Sequence, residues 1–176
     1  MTVAYQGAAG AFSHEACLRF LPDHEAIPFA TFSDVVAAVK VGETEFGMLP
    51  LVNNEAGETG ARALIDKARL RIVEEPVLTV RMHLLGLPDA TLDQIRTVVS
   101  HPVALRQCSE ALAKLNLNTE ETSNTALAAQ ALRNPNRGVL ASQAAAEIYG
   151  LAILQRDVHN RADNATTFAV VSREVE

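Results

Sequence analysis

The 176-residue chain has only two cysteines, Cys17 and Cys108, and neither stands in a CxxC or a Cys/His spacing. A zinc framework and a disulfide scaffold are therefore not expected, and both thiols read as small buried hydrophobes in a reducing cytoplasm. No uninterrupted apolar run approaches the roughly 18 residues of a membrane span. The opening MTVAYQG has no basic stretch before an apolar one, so neither membrane insertion nor secretion is expected. Positive charge is in short supply: 15 Lys and Arg face 21 Asp and Glu, the formal net charge is -6, and no basic run stands out. Such a field repels nucleic acid and anionic membranes, so an anionic ligand would have to be held by local geometry. Cofactor signatures are missing as well. There is no GxxxxGK[ST], no HExxH and no GxSxG, and Gly7-Ala8-Ala9-Gly10 is too short a glycine pattern for a dinucleotide fingerprint. No His-rich tract or carboxylate cluster points to a metal.

What is present is enough apolar material, 48% against 20% charged, for one compact domain or two small lobes. Strand-length apolar runs alternate with segments of helical period, which predicts an α/β fold around a mostly parallel sheet. Strands are expected at 3–6, 27–29 and 46–49, and helices at 12–20, from Ser33 as N-cap to Gly42, and at 57–68. Residues 70–80 read as extended and broken at Pro76. From Arg81 the pattern starts over, with strands at 82–87, 96–100, 117–121, 138–141 and 151–158 and helices at 102–115, 125–133 and 142–149. A last strand, 166–172, returns to the first series. The expectation is two lobes, 1–78 plus 160–176 and 79–159, with a cleft between them and chain crossings near 77–81 and 158–163. No repeat, low-complexity tract or linker marks a hinge.

Several predicted strands run into a small polar residue that opens a helix: Ser13-His14, Ser100-His101-Pro102, Asn124-Thr125 and Ser142. A helix start presents unpaired N–H groups and a positive dipole to an anion; equally, each Ser or Thr can be an N-cap and nothing more. His101 before Pro102 reads either as a capping histidine or as a carboxylate and proton partner. His14 is open in the same way, and His24, His83 and His159 have no companions at useful spacing.

Five blocks, taken together and in order, resemble the catalytic domain of prephenate dehydratase. They are Val3-Ala4-Tyr5-Gln6-Gly7 with Gly10 to His14; Ser100 to Leu105 with Gln107-Cys108; Thr125-Ala126 with Ala128-Ala129; Ala141-Ser142 with Ala144-Ala145 and Tyr149-Gly150-Leu151; and Asn164 to Phe168. The resemblance implies a two-lobed fold like the type II periplasmic binding proteins, a site in the cleft, no metal or organic cofactor, a cytoplasmic homodimer, and conversion of prephenate to phenylpyruvate in phenylalanine biosynthesis. It implies Thr166 as the catalytic hydrogen-bond donor, with Ser13, Asn53, Asn54, Ser100, His101, Thr125, Ser142, Asn164, Thr167 and Phe168 binding the small anionic ring substrate. No nucleic-acid or membrane partner is expected.

Two motifs depart from the family pattern, at three positions. The Arg of Asn-x-Thr-Arg-Phe is Thr167 here, which removes a fork expected to pair with a substrate carboxylate. If that loss limits turnover, Thr167→Arg raises activity. The Glu and Ser of Pro-x-Glu-Asn-Ser-x-x-Gly are Val52 and Asn54, with Glu55 or Glu58 as possible replacements for the acid. The chain also stops soon after the block that normally precedes an ACT domain, so phenylalanine feedback through one is not expected. The departures keep two alternatives open. One is a diverged homologue in secondary metabolism, a non-aromatising prephenate decarboxylase or a helper in tropone-type antibiotic synthesis. The other is a non-catalytic binding protein for small carboxylates.

Overall fold

A computed structural model describes residues 1–174. They form two compact units. The first is Met1–Ala8, Phe12–Thr79 and the chain from Ala165 onward; the second is Ala9–Ala11 and Val80–Asn164. Residues 9–11 and 160–164, assigned from sequence to the first lobe, are grouped with the second unit, and positions 175–176 of that assignment lie outside the described residues.

In the first unit, β1 (Thr2–Gln6) pairs in parallel with β2 (Glu25–Phe29) on one side and β3 (Phe46–Asn53) on the other. The crossovers are α1 (Phe12–Phe20) and α2 (Phe32–Val41), and because they step away from β1 in opposite directions they cover opposite faces of the sheet. Val3, Tyr5, Met48, Phe168 and Val170 pack with Ala16 and Cys17 of α1. Ala4, Leu49, Ala169 and Val171 pack on the other face with Val35 and Val39 of α2 and Ile65 of α3 (Ala61–Ala68). This is the period-two alternation that a sheet covered on both sides requires.

The last strand, β12 (Ala165–Ser172), does return to this sheet, running antiparallel beside β3. The Pro76 break divides its outer neighbour into β5 (Arg71–Glu74) and β6 (Val77–Thr79). Phe168 N–H donates to the Pro76 carbonyl at 2.8 Å, so β12 loses no ladder bond at the break. A short strand, β4 (Gly57–Glu58), pairs with the end of β3 where the sequence predicts the start of a helix. The α2 cap is Thr31, not Ser33: its hydroxyl accepts from Asp34 N–H at 3.1 Å while the Asp34 carboxylate accepts from Thr31 N–H at 3.0 Å. Gly42 ends α2 at φ 81° as expected.

The second unit repeats the plan. β8 (Thr97–Ser100) pairs in parallel with β9 (Asn118–Glu121) on one side and β10 (Arg137–Ala141) on the other, and β7 (His83–Gly86) and β11 (Ala152–Gln155) add antiparallel strands beyond β10. Both sheets are thus mixed, where the sequence suggests mostly parallel ones. The helix expected at 102–115 is two helices, α4 (Pro102–Gln107) and α5 (Ser109–Lys114). Asn160 holds the break open. Its Oδ1 accepts from Glu110 N–H at 3.1 Å, its Nδ2 donates to the Arg106 carbonyl at 3.1 Å, and its backbone N–H donates to the Gln107 carbonyl at 2.7 Å. One side chain therefore satisfies an orphan donor of α5 and an orphan acceptor of α4. The remaining helices are α6 (Thr125–Gln130) and α7 (Gln143–Tyr149).

His83 is 3% exposed, and its Nδ1 accepts from Asp157 N–H at 2.9 Å. Burial holds its pKa below the ordinary 6.5; Asp157 pulls it up, and Arg156, His159 and Arg81 push it further down. The folded state therefore binds this proton less readily than the unfolded chain does. The stabilisation is complete above about 6.5 and is lost as pH falls through the folded-state pKa. Thermal unfolding between pH 8 and 5 should show Tm falling on acidification, and His83→Asn, whose amide oxygen can accept from Asp157 N–H without titrating, should flatten that slope. His14, also held below 6.5 by burial, leaves a residual slope of the same sign.

Candidate active site

In both units the strand order reverses at a parallel strand, between β1 and β3 in the first and between β8 and β10 in the second. In such sheets ligands gather at the carboxyl ends of the strands flanking the reversal. Because β12 is antiparallel to β3, its first residues lie at the carboxyl end of β3. Thr166 therefore sits at the favoured end of the first sheet, opposite Asn53 in register.

A β-bulge sets which groups meet there. Phe168 pairs with Pro50 and Thr167 with Val52, so Leu51 is the extra residue on β3. Strict alternation from Met48 would turn Asn53 to the α2 face; the bulge reverses the phase and brings it beside Thr166. Asn53 Nδ2 donates to Thr166 Oγ1 at 2.9 Å and to the Ala165 carbonyl at 3.1 Å. Its Oδ1 accepts from Glu55 N–H at 3.0 Å and Ala56 N–H at 2.8 Å, which settles which end of the amide faces the threonine. Asn54 Oδ1 accepts from Ala165 N–H at 3.0 Å, tying the same loop to the start of β12. Thr166 is 8% exposed, and its oxygen is an acceptor in this network. Among the described residues nothing accepts its proton.

The hydroxyls of the second unit are arranged the other way. Ser100, fully buried at the end of β8, lies 3.0 Å from Thr125 Oγ1 and 3.3 Å from the Leu140 carbonyl, and its one proton goes to one of these two acceptors. Thr125 in turn accepts from His101 N–H at 3.1 Å. Ser142 caps α7 by accepting from Ala145 N–H at 3.1 Å and donates to the Gly10 carbonyl at 2.7 Å. The Ser100 and Ser142 protons are thus spent inside the protein. His101 is a cap: its Nδ1 accepts from Val103 N–H at 3.2 Å, which requires that nitrogen to be unprotonated. Ser100, His101 and Thr125 thus form one hydrogen-bonded cluster, with Ser142 at the end of the neighbouring strand.

The other predicted residues are placed as follows. Ser13 is buried in the first turn of α1, beside a His14 ring stacked on Tyr5 at 5.1 Å between centroids. Asn164 is fully buried and its carbonyl accepts from Val80 N–H at 2.8 Å. Phe168 is a core side chain, 1% exposed among Tyr5, Met48 and Leu78. Thr167 does not share the Thr166 face. Tyr149, absent from the predicted site, donates from its hydroxyl to the Ala9 carbonyl at 2.5 Å, next to the Ser142 contact on Gly10. Ser142 and Tyr149 are seven residues apart, two turns along one helix face, and that spacing is a signal the sequence does contain. No group of three or more His, Cys, Asp or Glu among the described residues is arranged to hold a metal. No described helix is long and apolar enough to cross a membrane.

The family model described as prephenate dehydratase matches residues 3–176. Arogenate dehydratase 2 of Petunia hybrida is 36% identical over 99% of this chain and 45% of its own length. The bifunctional N-acyl-homoserine lactone acylase/prephenate dehydratase of Komagataeibacter europaeus is 38% identical over 97% of this chain and 62% of its own. The chain thus spans roughly half the length of the curated relatives it matches. Among solved structures, GqqA, described as a novel type of quorum quenching acylase, superposes with a TM-score of 0.92 at 36% identity, covering all of this chain and 65% of the other. The fold is shared with lipoprotein Tp32 of Treponema pallidum at a TM-score of 0.54 and 12% identity over 98% of this chain and 83% of that one, a likeness of fold alone. With the family pattern matched along nearly its whole length, this chain belongs to the prephenate dehydratase family.

Proposed function

We propose that the chain is a lyase of the prephenate dehydratase type, forming phenylpyruvate from prephenate for phenylalanine synthesis in a reducing cytoplasm, as a homodimer. The ring C–COO⁻ bond breaks to give CO2, its electron pair moves into the ring, and the C4–O bond breaks as the ring becomes aromatic. Because aromatisation makes the step downhill, the protein's task is to hold the carboxylates and ease departure of the hydroxyl.

The observation that carries the proposal is the direction of the hydrogen bonds. Thr166 receives a bond from Asn53 and keeps its proton, whereas Ser100 and Ser142 give theirs away to neighbours. An alcohol is too weak an acid to protonate a ring carbinol, but it can hydrogen-bond to an oxygen that becomes negative as C–O stretches, and the amide bond already made to Oγ1 polarises it in that sense. The leaving oxygen departs as water after taking a solvent proton. Asn53 is the positioning residue, Asn54 fixes the loop, and Ser100, His101, Thr125 and Ser142 hold the loops at the carboxyl ends of β8 and β10.

The test is the product spectrum of purified protein with prephenate and, separately, arogenate at neutral pH. Phenylpyruvate from prephenate is the expected result. Turnover of arogenate alone would assign the chain to the substrate named for its plant relatives. Loss of prephenate without phenylpyruvate would favour the secondary-metabolism alternative, and binding without turnover would leave a small-carboxylate binding protein.

A further inference from the structure

Positions 52 and 167, two of the three at which this chain departs from the family pattern, are direct cross-strand partners. Side chains paired in register across an antiparallel ladder share a face. Thr166 pairs with Asn53 on one side and Leu78 on the other, and Leu78 packs with Phe168 and α1. Thr167 pairs with Val52 and Val77, and Val52 pairs further out with Glu58. Ala169 and Val171, on Thr167's side of β12, pack against α2. A row Val77, Thr167, Val52, Glu58 therefore runs across four strands on the face opposite Thr166. Val77 is 56% exposed, Val52 is 37% exposed and Glu58 is exposed.

We infer that Val52 and Thr167 are a single cross-strand unit of the sheet surface, facing away from the Thr166 hydroxyl, and that neither side chain touches substrate. An acid at 52 opposite an arginine at 167 would be an ion pair on that same face. Exchanging both for a valine and a threonine removes two opposite charges together, leaving none unpaired, and keeps two β-branched residues suited to the strands. The departures at 52 and 167 are then one compensated change in how the sheet edge is held. The expectation that Thr167→Arg restores a carboxylate fork is withdrawn on this geometry. Glu58 is not a replacement for the acid in the chemistry, since it belongs to the same outward row.

The inference rests on Thr166 being the donor of the proposed reaction, and its experiment separates the two. V52E, T167R and V52E/T167R are made in the full chain, and each is assayed with prephenate and by thermal unfolding at low salt and in 1 M NaCl. Expected are kcat/KM values within about two-fold of the parent for all three. The Tm of the double variant should exceed the sum of the single changes by roughly 2 °C at low salt, and that excess should vanish at high salt. V77E/T167R, using the other register partner, should show the same salt-sensitive excess if a Val52 variant folds poorly. A ten-fold or larger change in kcat/KM with T167R alone, or strictly additive Tm changes in both pairs, overturns the inference. If the parent does not turn over prephenate, the proposed reaction fails while the Tm coupling still decides the pairing; activity gained with T167R would then count against it.

Discussion

Thr166→Ala should lower kcat for phenylpyruvate formation by about 100- to 1000-fold, the cost of removing one pre-aimed donor from a developing oxyanion, about 3–4 kcal/mol. KM should change by only a few-fold, because the bond matters only as the C–O bond stretches. Folding should survive. The variant gives up one side-chain hydrogen bond, worth about 1 kcal/mol, and Asn53 Nδ2 keeps the Ala165 carbonyl as partner. Thr166→Ser, which retains a hydroxyl at the same register position, should keep most of the rate. An equal loss in the Ser and Ala variants would point to the methyl group's packing instead, and a KM effect without a kcat effect would make Thr166 a ground-state binding residue.

Gly10→Ala is the largest expected effect on stability. The backbone at Gly10 has φ +85°, a region that costs an L-residue about 1–2 kcal/mol. A Cβ there would lie 2.8 Å from Ala145 Cα and 2.9 Å from Ala145 Cβ. Ala145 cannot easily give way, since its N–H is held by Ser142 Oγ and the Ser142 hydroxyl is held in turn by the Gly10 carbonyl. Overpacking against backbone adds about 1–3 kcal/mol. A total near 3 kcal/mol corresponds to a fall in Tm of about 6–12 °C. Gly57→Ala is the control: its φ is +89°, but no atom lies within 4 Å of the added carbon. It should therefore cost only the conformational part. Equal losses at the two positions would show that the close approach to Ala145 contributes nothing.

Much of this architecture is legible in the sequence because it depends on local pattern. The bounds of α1, the Gly42 stop and the Pro76 break follow from periodicity and turn chemistry over short windows, and the return of the last strand follows from counting elements, since the first series lacks a closing strand. The illegible parts depend on partners far along the chain. The break between α4 and α5 is held by Asn160, about fifty residues away, while the apolar spacing of 102–115 suits one helix. The Leu51 bulge leaves no mark in an apolar strand, yet it decides which neighbours share a face. The resemblance implies Thr166 and Asn53 as site residues, but their contact, and the exclusion of Thr167 from that face, come only from register. The Thr31 cap is legible as well, since Thr31-x-x-Asp34 is a capping-box pattern, although Ser33 stands closer to the apolar run.

The central claim is that Asn53 holds the Thr166 oxygen while leaving its proton free. Asn53→Asp tests it directly: Oδ1 can still accept from Glu55 and Ala56 N–H, but the second carboxylate oxygen, at the Nδ2 position 2.9 Å from Thr166 Oγ1, would accept the threonine's hydrogen bond, with loss of the bond to the Ala165 carbonyl. The measurement is kcat with prephenate for the parent, N53D, T166A and N53D/T166A. The account predicts that N53D alone loses about 100-fold and that the double variant is no more than about two- to three-fold slower than T166A, because both changes remove the same donated bond. Losses that multiply, or an N53D enzyme as fast as the parent, would contradict it.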